Sequence, residues 1–256
     1  MTHAASARLE GLYRYPVKGL SPEPMQSVAL EPGQTVPFDR AYAIENGPGR
    51  FDPDDPQHLP KINFLMLVRN ERLATLATSF DADTHTLTIL RDGKQVARGQ
   101  LSTTLGRKMI EQFVAAYMKD DLRGAPKIMH AEGHSFSDVA AKCLHIISLT
   151  SLRELERVVG TPLSPLRFRP NMVVDGLEPF TELSLVGQTI KVGPVELEVI
   201  KRTERCAATD VDPDTGARDT AIPAVLLRTW GHSDFGVYAR VTKGGTATVG
   251  DTLTVT

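Results

Sequence analysis

Short apolar runs, each stopped by glycine or proline, fill the first hundred residues of this chain and limit what it can fold into. "RLEGLYRYPVKG", "MQSVALEPG" and "RAYAIENGPG" are runs of this kind and read as strands. "HTLTILRDGKQVARG" adds a hairpin, because Asp92-Gly93 suits a tight two-residue turn. Between them "RFDPDDPQHLP", rich in proline and aspartate, reads as an irregular surface loop.

The middle of the chain changes period. In "STTLGRKMIEQFVAAYMKD", Leu105, Met109, Phe113 and Tyr117 recur every four residues and predict a helix with one apolar stripe. "SLRELERVVG" predicts a second helix: Ser151 and Glu154 form a capping box, Leu152, Leu155 and Val159 line one face, and Gly160 ends it. Strands then return. In "VELEVIKR", Val195, Leu197 and Val199 alternate inward against Glu196 and Glu198. Strands first, helices in the middle and strands last argue for an α+β protein, mainly β, with curled or barrel-like sheets.

At 256 residues, with 41% hydrophobic and 23% charged side chains, the chain has the composition of an ordinary soluble globular protein. A net charge of -2 gives no electrostatic reason to expect nucleic acid or an anionic membrane as partner. Cys143 and Cys206 are too few for a disulfide scaffold, an iron–sulfur cluster or a tetracysteine zinc site, and point to a reducing compartment. The opening "MTHAASARLEGLYRYP" has no apolar signal region, and no segment approaches the ~18 apolar residues of a membrane span. The expectation is a cytoplasmic protein.

The commonest nucleotide and hydrolase motifs are absent: there is no GxGxxG, no Walker A loop and no GxSxG elbow. "HAEGH" spaces His130 and His134 four apart, but Gly133 weakens a helix there and the pair reads as loop histidines. "NGPGR" reads as a turn. Three stretches put a cation or amide at a strand edge, where fixed backbone can aim a side chain at a ligand: Lys18 in "YPVKG", Arg167, Arg169 and Asn171 in "LRFRPNMVVDG", and Arg205 beside Cys206 in "TERCAATDVDPDTG". Together with the Cys206 sulfur they suit a ligand that is anionic at one end and soft-metal-like at the other. Cys143, in "AAKCLHIISL", reads as a core residue.

At these residues the sequence resembles a known family. "LYRYPVKG" followed by "FDRAYAIENG" is similar to the N-terminal β-barrel domain of MOSC proteins, and "LRFRPNMVVDG…RCAATDVDPDTG…FGVYARVTKGGTATVGD" looks like the MOSC domain shared by molybdenum cofactor sulfurases and amidoxime-reducing components. The resemblance implies an N-terminal β-barrel-like domain over 1–100, then a helical segment and MOSC β-barrel domain over 101–256. It implies a molybdenum cofactor (Mo-molybdopterin) whose metal is ligated by Cys206, and reduction of small N-hydroxylated compounds. Carried over position by position, Lys18, Arg40, Arg169, Asn171 and Arg205 match cofactor-pocket residues, and Ser137 and Asp138 fall on a polar-Asp stretch near the pterin.

Departures from the pattern carry expectations of their own. Gly19 stands where reductase-type relatives have a small hydroxyl residue, and Glu204 stands where Ser or Pro is familiar. A carboxylate there opposes an anionic cofactor unless it turns away or pairs with Arg202 or Arg205. With no cysteines left for a cluster, the resemblance to reductases implies a separate electron-donor protein. Two other readings stand beside the reductase: a non-catalytic carrier of the cofactor, and a sulfur-transfer protein using a Cys206 persulfide.

Overall fold

A computed structural model describes residues 6–255. Among them, seven strands close into a barrel: β1 (Ser6–Arg14), β2 (Leu144–Ser148), β3 (Met172–Asp175), β4 (Thr189–Val192), β5 (Val195–Glu204), β6 (Asp234–Lys243) and β7 (Thr252–Val255). The strand order is β3-β2-β6-β5-β4-β7-β1, and β1 pairs back onto β3 to complete the ring. Only the β2–β3 pair is parallel among the pairings in this barrel. Closure leaves the barrel without exposed edges. A strand from the start of the chain thus completes a barrel whose other six strands come from its second half.

The period-two pattern of β5 sets its inner face. Val195, Leu197 and Val199 are fully buried with Leu9, Leu12 and Ile190 in the barrel core, as their alternation with Glu196 and Glu198 predicts. Beyond Val199 the pairing with β6 shifts register at Val199/Lys201 and again at Arg202/Glu204. Such bulges bend a strand and re-aim its end. The residues delivered by that end are Arg205 and Cys206.

The rest of the N-terminal half packs around a second core. The hairpin Thr86–Arg91 and Lys94–Gln100 turns through Asp92 and Gly93, both at positive φ (51° and 73°), as a mirror-image turn requires. Helix α1 (Thr104–Tyr117) lies against this hairpin, but not by the face its four-residue stripe predicts. Gly106, Ile110 and Val114 are buried, whereas Leu105 is 72% and Met109 50% exposed. A close approach explains the rotation: a Cβ on Gly106 would lie 2.1 Å from the Gln100 carbonyl oxygen. Only glycine lets the helix sit this near the strand end, and that contact chooses the inward face.

Helix α2 (Leu149–Val159) and helix α3 (Ile222–Trp230) cover the outside of the barrel, where Phe168 and Phe235 stack at 4.1 Å. Gly160 ends α2 at φ 86°, as expected, but the capping box does not form: the helix starts at Leu149 with Ser148 as its N-cap. Ser151 is instead buried and donates from Oγ to Glu182 Oε2 at 2.8 Å while accepting from the Phe180 N–H. Glu154 pairs with Arg157 on the surface.

Glu182 is 1% exposed, its Oε1 has no partner among the described residues, and burial pushes its pKa up to about 7. The folded chain therefore holds this proton to higher pH than the unfolded chain does. Stability falls as pH rises from the unfolded carboxyl value near ~4.3 to about 7, then levels off. Glu182→Gln is expected to be more stable than the parent at pH 8 by roughly 2–3 kcal/mol, and to lose that advantage toward pH 5. Urea denaturation at the two pH values reads the difference; a constant gap would show that Glu182 does not titrate in this window.

Candidate functional site

Cys206 leaves the bulged end of β5 and caps the short turn Ala207–Asp210. Its backbone oxygen accepts from Thr209 N and Oγ1, both at 3.0 Å, so the local turn does not depend on its sulfur. The following Asp-Pro-Asp-Thr-Gly loop is fixed twice over. Asp212 Oδ1 accepts from the backbone N–H groups of Asp214 and Thr215, an Asx turn, and Gly216 at φ 72° closes it. Arg167, fully inside, holds Asp212 Oδ2 at 2.9 Å, Asp219 Oδ2 at 2.7 Å and the Asp210 carbonyl at 3.3 Å. Of the two arginines in "RFR", Arg167 is thus the internal clamp of the loop.

Arg169 faces a different way. It sits at φ 53°, and Arg40 at φ 51°, both in the left-handed region that side chains rarely adopt. Both guanidinium groups lie over one ring: the centroid of Tyr15, fully buried, is 4.4 Å from Arg40 and 4.2 Å from Arg169. Arg40 pairs with Asp39 at 2.6 Å and donates to the Arg169 carbonyl at 3.1 Å. Arg169 Nη1 donates to the Leu20 carbonyl at 2.9 Å, while its buried Nη2 has no partner among the described residues. Burial and the neighbouring Arg40 charge bring the Arg169 pKa down to about 10.

Arg205 is held in the same manner, by carbonyl rather than carboxylate. Its Nη2 donates to the Phe168 carbonyl at 2.8 Å and its Nη1 to His145 Nε2 at 3.3 Å, and its buried Nε has no partner among the described residues. Burial and the adjacent Arg205 charge hold the His145 pKa well below its ordinary value. Neutral His145 then accepts at Nε2, which leaves the proton on Nδ1, 3.5 Å from the Arg169 carbonyl.

Lys18, brought in by the bridge between Val17 and Tyr42, is buried and donates to the Phe136 carbonyl at 2.8 Å and to Asp138 Oδ1. Burial lowers the Lys18 pKa against the pull of Asp138. Burial also works to raise the Asp138 pKa, but the Lys18 and Lys61 ammonium groups hold it well below the usual carboxylate range. Lys61 lies 3.5 Å from Asp138 Oδ2 and 3.3 Å from the Cys206 sulfur. Burial works to lower its pKa, yet Asp138 and Cys206 keep it above the ordinary value.

These side chains line one cavity of about 290 Å³ between the barrel end and the N-terminal half. Lys18, Arg40, Arg169, Arg205 and Cys206 reach its wall, as do Ser137 and Asp138. Asn171 lines it too, but its amide is spent on the fold: Oδ1 accepts from the His145 N–H and Nδ2 donates to the Tyr13 carbonyl. Cys143 is buried at the same wall, where burial pushes its thiol up to about 11. Glu204 also lines the cavity, exposed, with Ser233 Oγ 3.5 Å from its Oε1, while Arg202 turns to Asp234 and the Leu183 carbonyl. Gly19 stands at φ 85°, and a Cβ there would press to 3.1 Å on the Leu65 carbonyl, so a serine could not enter without strain. His130 stacks on Tyr42 and His134 packs beside Phe51 and Phe136; neither lines this cavity.

Lys61, Tyr15 and His145 carried no local signal that would mark them. Tyr15 sits inside the "YPVKG" stretch, where the charge of Lys18 is the signal, and each of the three acquires its role only by meeting residues more than twenty positions away. Chemically, the cavity is an anion site with a thiol at one side. Arg169 and Arg205 have no carboxylate partner among the described residues, and no three His, Cys, Asp or Glu side chains there gather as metal ligands. A metal beside Cys206 must therefore bring most of its coordination shell with it. The orphaned guanidinium nitrogens of Arg169 and Arg205, which no carboxylate neutralises, and the Cys206 sulfur fit an anionic, phosphate-bearing metal cofactor.

Family models match nearly the whole chain: the MOSC N-terminal beta barrel domain over residues 6–125 and the MOSC domain over 131–254. Mitochondrial amidoxime reducing component 2 of Rattus norvegicus is 34% identical over 120 residues, covering 42% of this chain and 35% of that protein. Mitochondrial amidoxime-reducing component 1 of Homo sapiens is 31% identical over 118 residues, covering 41% and 34%. The matched region spans about a third of the length of these curated relatives. Among solved structures, the YuaD protein from Bacillus subtilis aligns over 100% of this chain and 98% of its own at 14% identity, with a TM-score of 0.46.

Proposed function

Because the chain belongs to the family that joins a MOSC N-terminal β-barrel domain to a MOSC domain, we propose that it is a cytoplasmic molybdenum-cofactor oxidoreductase that reduces small N-hydroxylated compounds with electrons from a separate donor protein. The observation that carries this reading is the convergence, in one cavity, of a cysteine sulfur with Arg169 and Arg205, neither paired to a carboxylate and each with a buried guanidinium nitrogen that lacks a partner among the described residues. Among the described residues no helix is long and apolar enough to cross a membrane.

Cys206 would supply the protein's sulfur ligand to the metal, held still by a loop that Arg167 clamps. Arg169 and Arg205 would hold the anionic end, already anchored on backbone carbonyls and so costing little reorganisation on binding. Lys18 and Arg40 would add charge behind them. When bound, the cofactor supplies a two-electron change. The overall reaction breaks the N–O bond, consumes two electrons and two protons, leaves hydrogen on nitrogen and releases the oxygen as water. Asp138 and the two lysines flanking it place exchangeable protons beside the sulfur.

The test compares cofactor-loaded chain, its Cys206→Ala variant and cofactor-free chain, each given reduced viologen and an amidoxime. NAD(P)H alone should drive no turnover, since the chain has no flavin or nicotinamide motif and only two cysteines. Product is expected from the loaded parent only. No product from a fully loaded parent across a panel of N-hydroxylated compounds would favour the non-catalytic carrier, and a persulfide on metal-free Cys206 would favour sulfur transfer.

A further inference from the structure

One cation of the cavity stands apart from those that grip the anionic end. Lys61 begins the short turn Lys61–Asn63, and its side chain is 37% exposed, against 9% for Lys18 and 14% for Arg40. Its Nζ reaches the Cys206 sulfur at 3.3 Å and Asp138 at 3.5 Å. Asp138 also serves Lys18 through its other oxygen, so one carboxylate is shared between two ammonium groups and the rim keeps a net positive charge. An ammonium has three donors, and one on Lys61 has no partner among the described residues.

Beside Lys61 the rim is apolar. Met66, Leu67 and Val68 line the cavity, and their segment is tied to the cysteine loop by Arg218. Its Nη2 donates to the Leu67 and Val68 carbonyls at 3.3 and 2.9 Å, and its Nη1 to the Ala207 carbonyl at 3.0 Å. Glu204, the carboxylate nearest in sequence to Cys206, lines the cavity too, with its Oε1 3.5 Å from Ser233 Oγ. A compound that reaches the sulfur thus meets an ammonium on a stapled apolar strip.

We propose that Lys61 sets the charge preference of the site, selecting N-hydroxylated compounds that carry a carboxylate on an apolar body over neutral compounds of the same shape. This rests on the reductase reading for the word substrate, but the binding preference stands on Lys61 itself. The ammonium is close enough for a charge-assisted hydrogen bond, and its partial burial shields that bond from solvent more than a surface pair would be. Specificity is a difference of affinities, and a neutral compound leaves the third donor unmade.

Lys61→Met keeps the aliphatic stem and removes the charge; Lys61→Gln is the alternative should Met disturb the rim. In the cofactor-loaded chain, where the cofactor's anionic end occupies Arg169 and Arg205, calorimetry with benzoate and with benzamide is expected to show benzoate bound roughly threefold to tenfold more tightly, and the ratio to fall to about one in the variant. In the loaded chain, kcat/KM for 4-carboxybenzamidoxime relative to benzamidoxime should fall by the same factor. A benzoate preference that survives in both variants overturns the proposal. A loaded parent that reduces neither amidoxime counts against the reductase reading instead, and the calorimetric ratio still decides the role of Lys61.

Discussion

Cys206→Ser is expected to fold normally and to lose the sulfur signature of a bound metal together with reduction of N-hydroxylated compounds. The fold should survive because the Cys206 sulfur meets only the part-exposed Lys61 ammonium: its turn is held by the backbone oxygen, and the next loop by Arg167 and Asp212. The chemistry should not survive, because serine offers a hard oxygen that is rarely ionised at neutral pH in place of the soft Cys206 sulfur. Changes in groups that merely orient metal ligands cost about 10–100-fold in affinity or activity, so removing the protein's own ligand should reach the upper end of that range or pass it. The readouts are metal and pterin content, the electronic spectrum of the loaded chain, and turnover with reduced viologen. An unchanged spectrum with unchanged turnover would place the metal elsewhere. Cys143→Ser is the control. Its thiol is buried and held neutral by that burial, so its substitution should move stability and leave the spectrum alone.

Arg167→Ala and Arg169→Ala, two positions apart, are expected to fail in opposite ways. The Arg169 guanidinium is packed close to Arg40, and the protein already lowers its affinity for its proton. Removing it relieves that repulsion and frees the Leu20 carbonyl, at the expense of packing on Tyr15, so the thermal midpoint of the cofactor-free chain should change little. Cofactor retention should drop about tenfold to a hundredfold, because a guanidinium bond to an anion is worth roughly 1.5–3 kcal/mol. Lys18→Ala should lower retention in the same direction.

Arg167→Ala instead releases Asp212 and Asp219 together, with a stability loss of about 1–3 kcal/mol, since Asp219 is half exposed and its pair is partly screened. Calorimetric melting and pterin content measured on the same preparations separate the two. If Arg169→Ala kept its full cofactor while melting early, its role would be the fold and the anion would bind elsewhere.

What local pattern could decide is visible element by element. The alternation in Val195–Val199, the Asp92-Gly93 turn, the Gly160 helix stop and the irregular loop after Arg50 all follow from steric rules acting within a few residues. The face of α1 does not, because the contact between Gly106 and Gln100 outweighs the stripe beginning at Leu105. Nor does the start of α2: Ser151 bonds Glu182, thirty-one positions on, in preference to its own helix end. In both cases a tertiary contact made on folding is stronger than the local preference that competes with it.

The site divides along the same line. A cysteine beside an arginine before an Asp-Pro-Asp-Thr-Gly turn, and cations at strand edges, are stated by the sequence alone, because covalent neighbours and strand ends are local facts. That Lys18, Arg40 and Asp138 meet Arg169, Arg205 and Cys206 in one cavity was carried by the family pattern rather than by any spacing. That Arg167 clamps two aspartates while Arg169 meets no carboxylate among the described residues, that Asn171 serves the backbone, and that Lys61 touches the sulfur from 145 positions away were decided only by the tertiary structure. A side chain's partner is set by where the chain returns in space, and barrel closure by β1 and the bulges in β5 bring about that return.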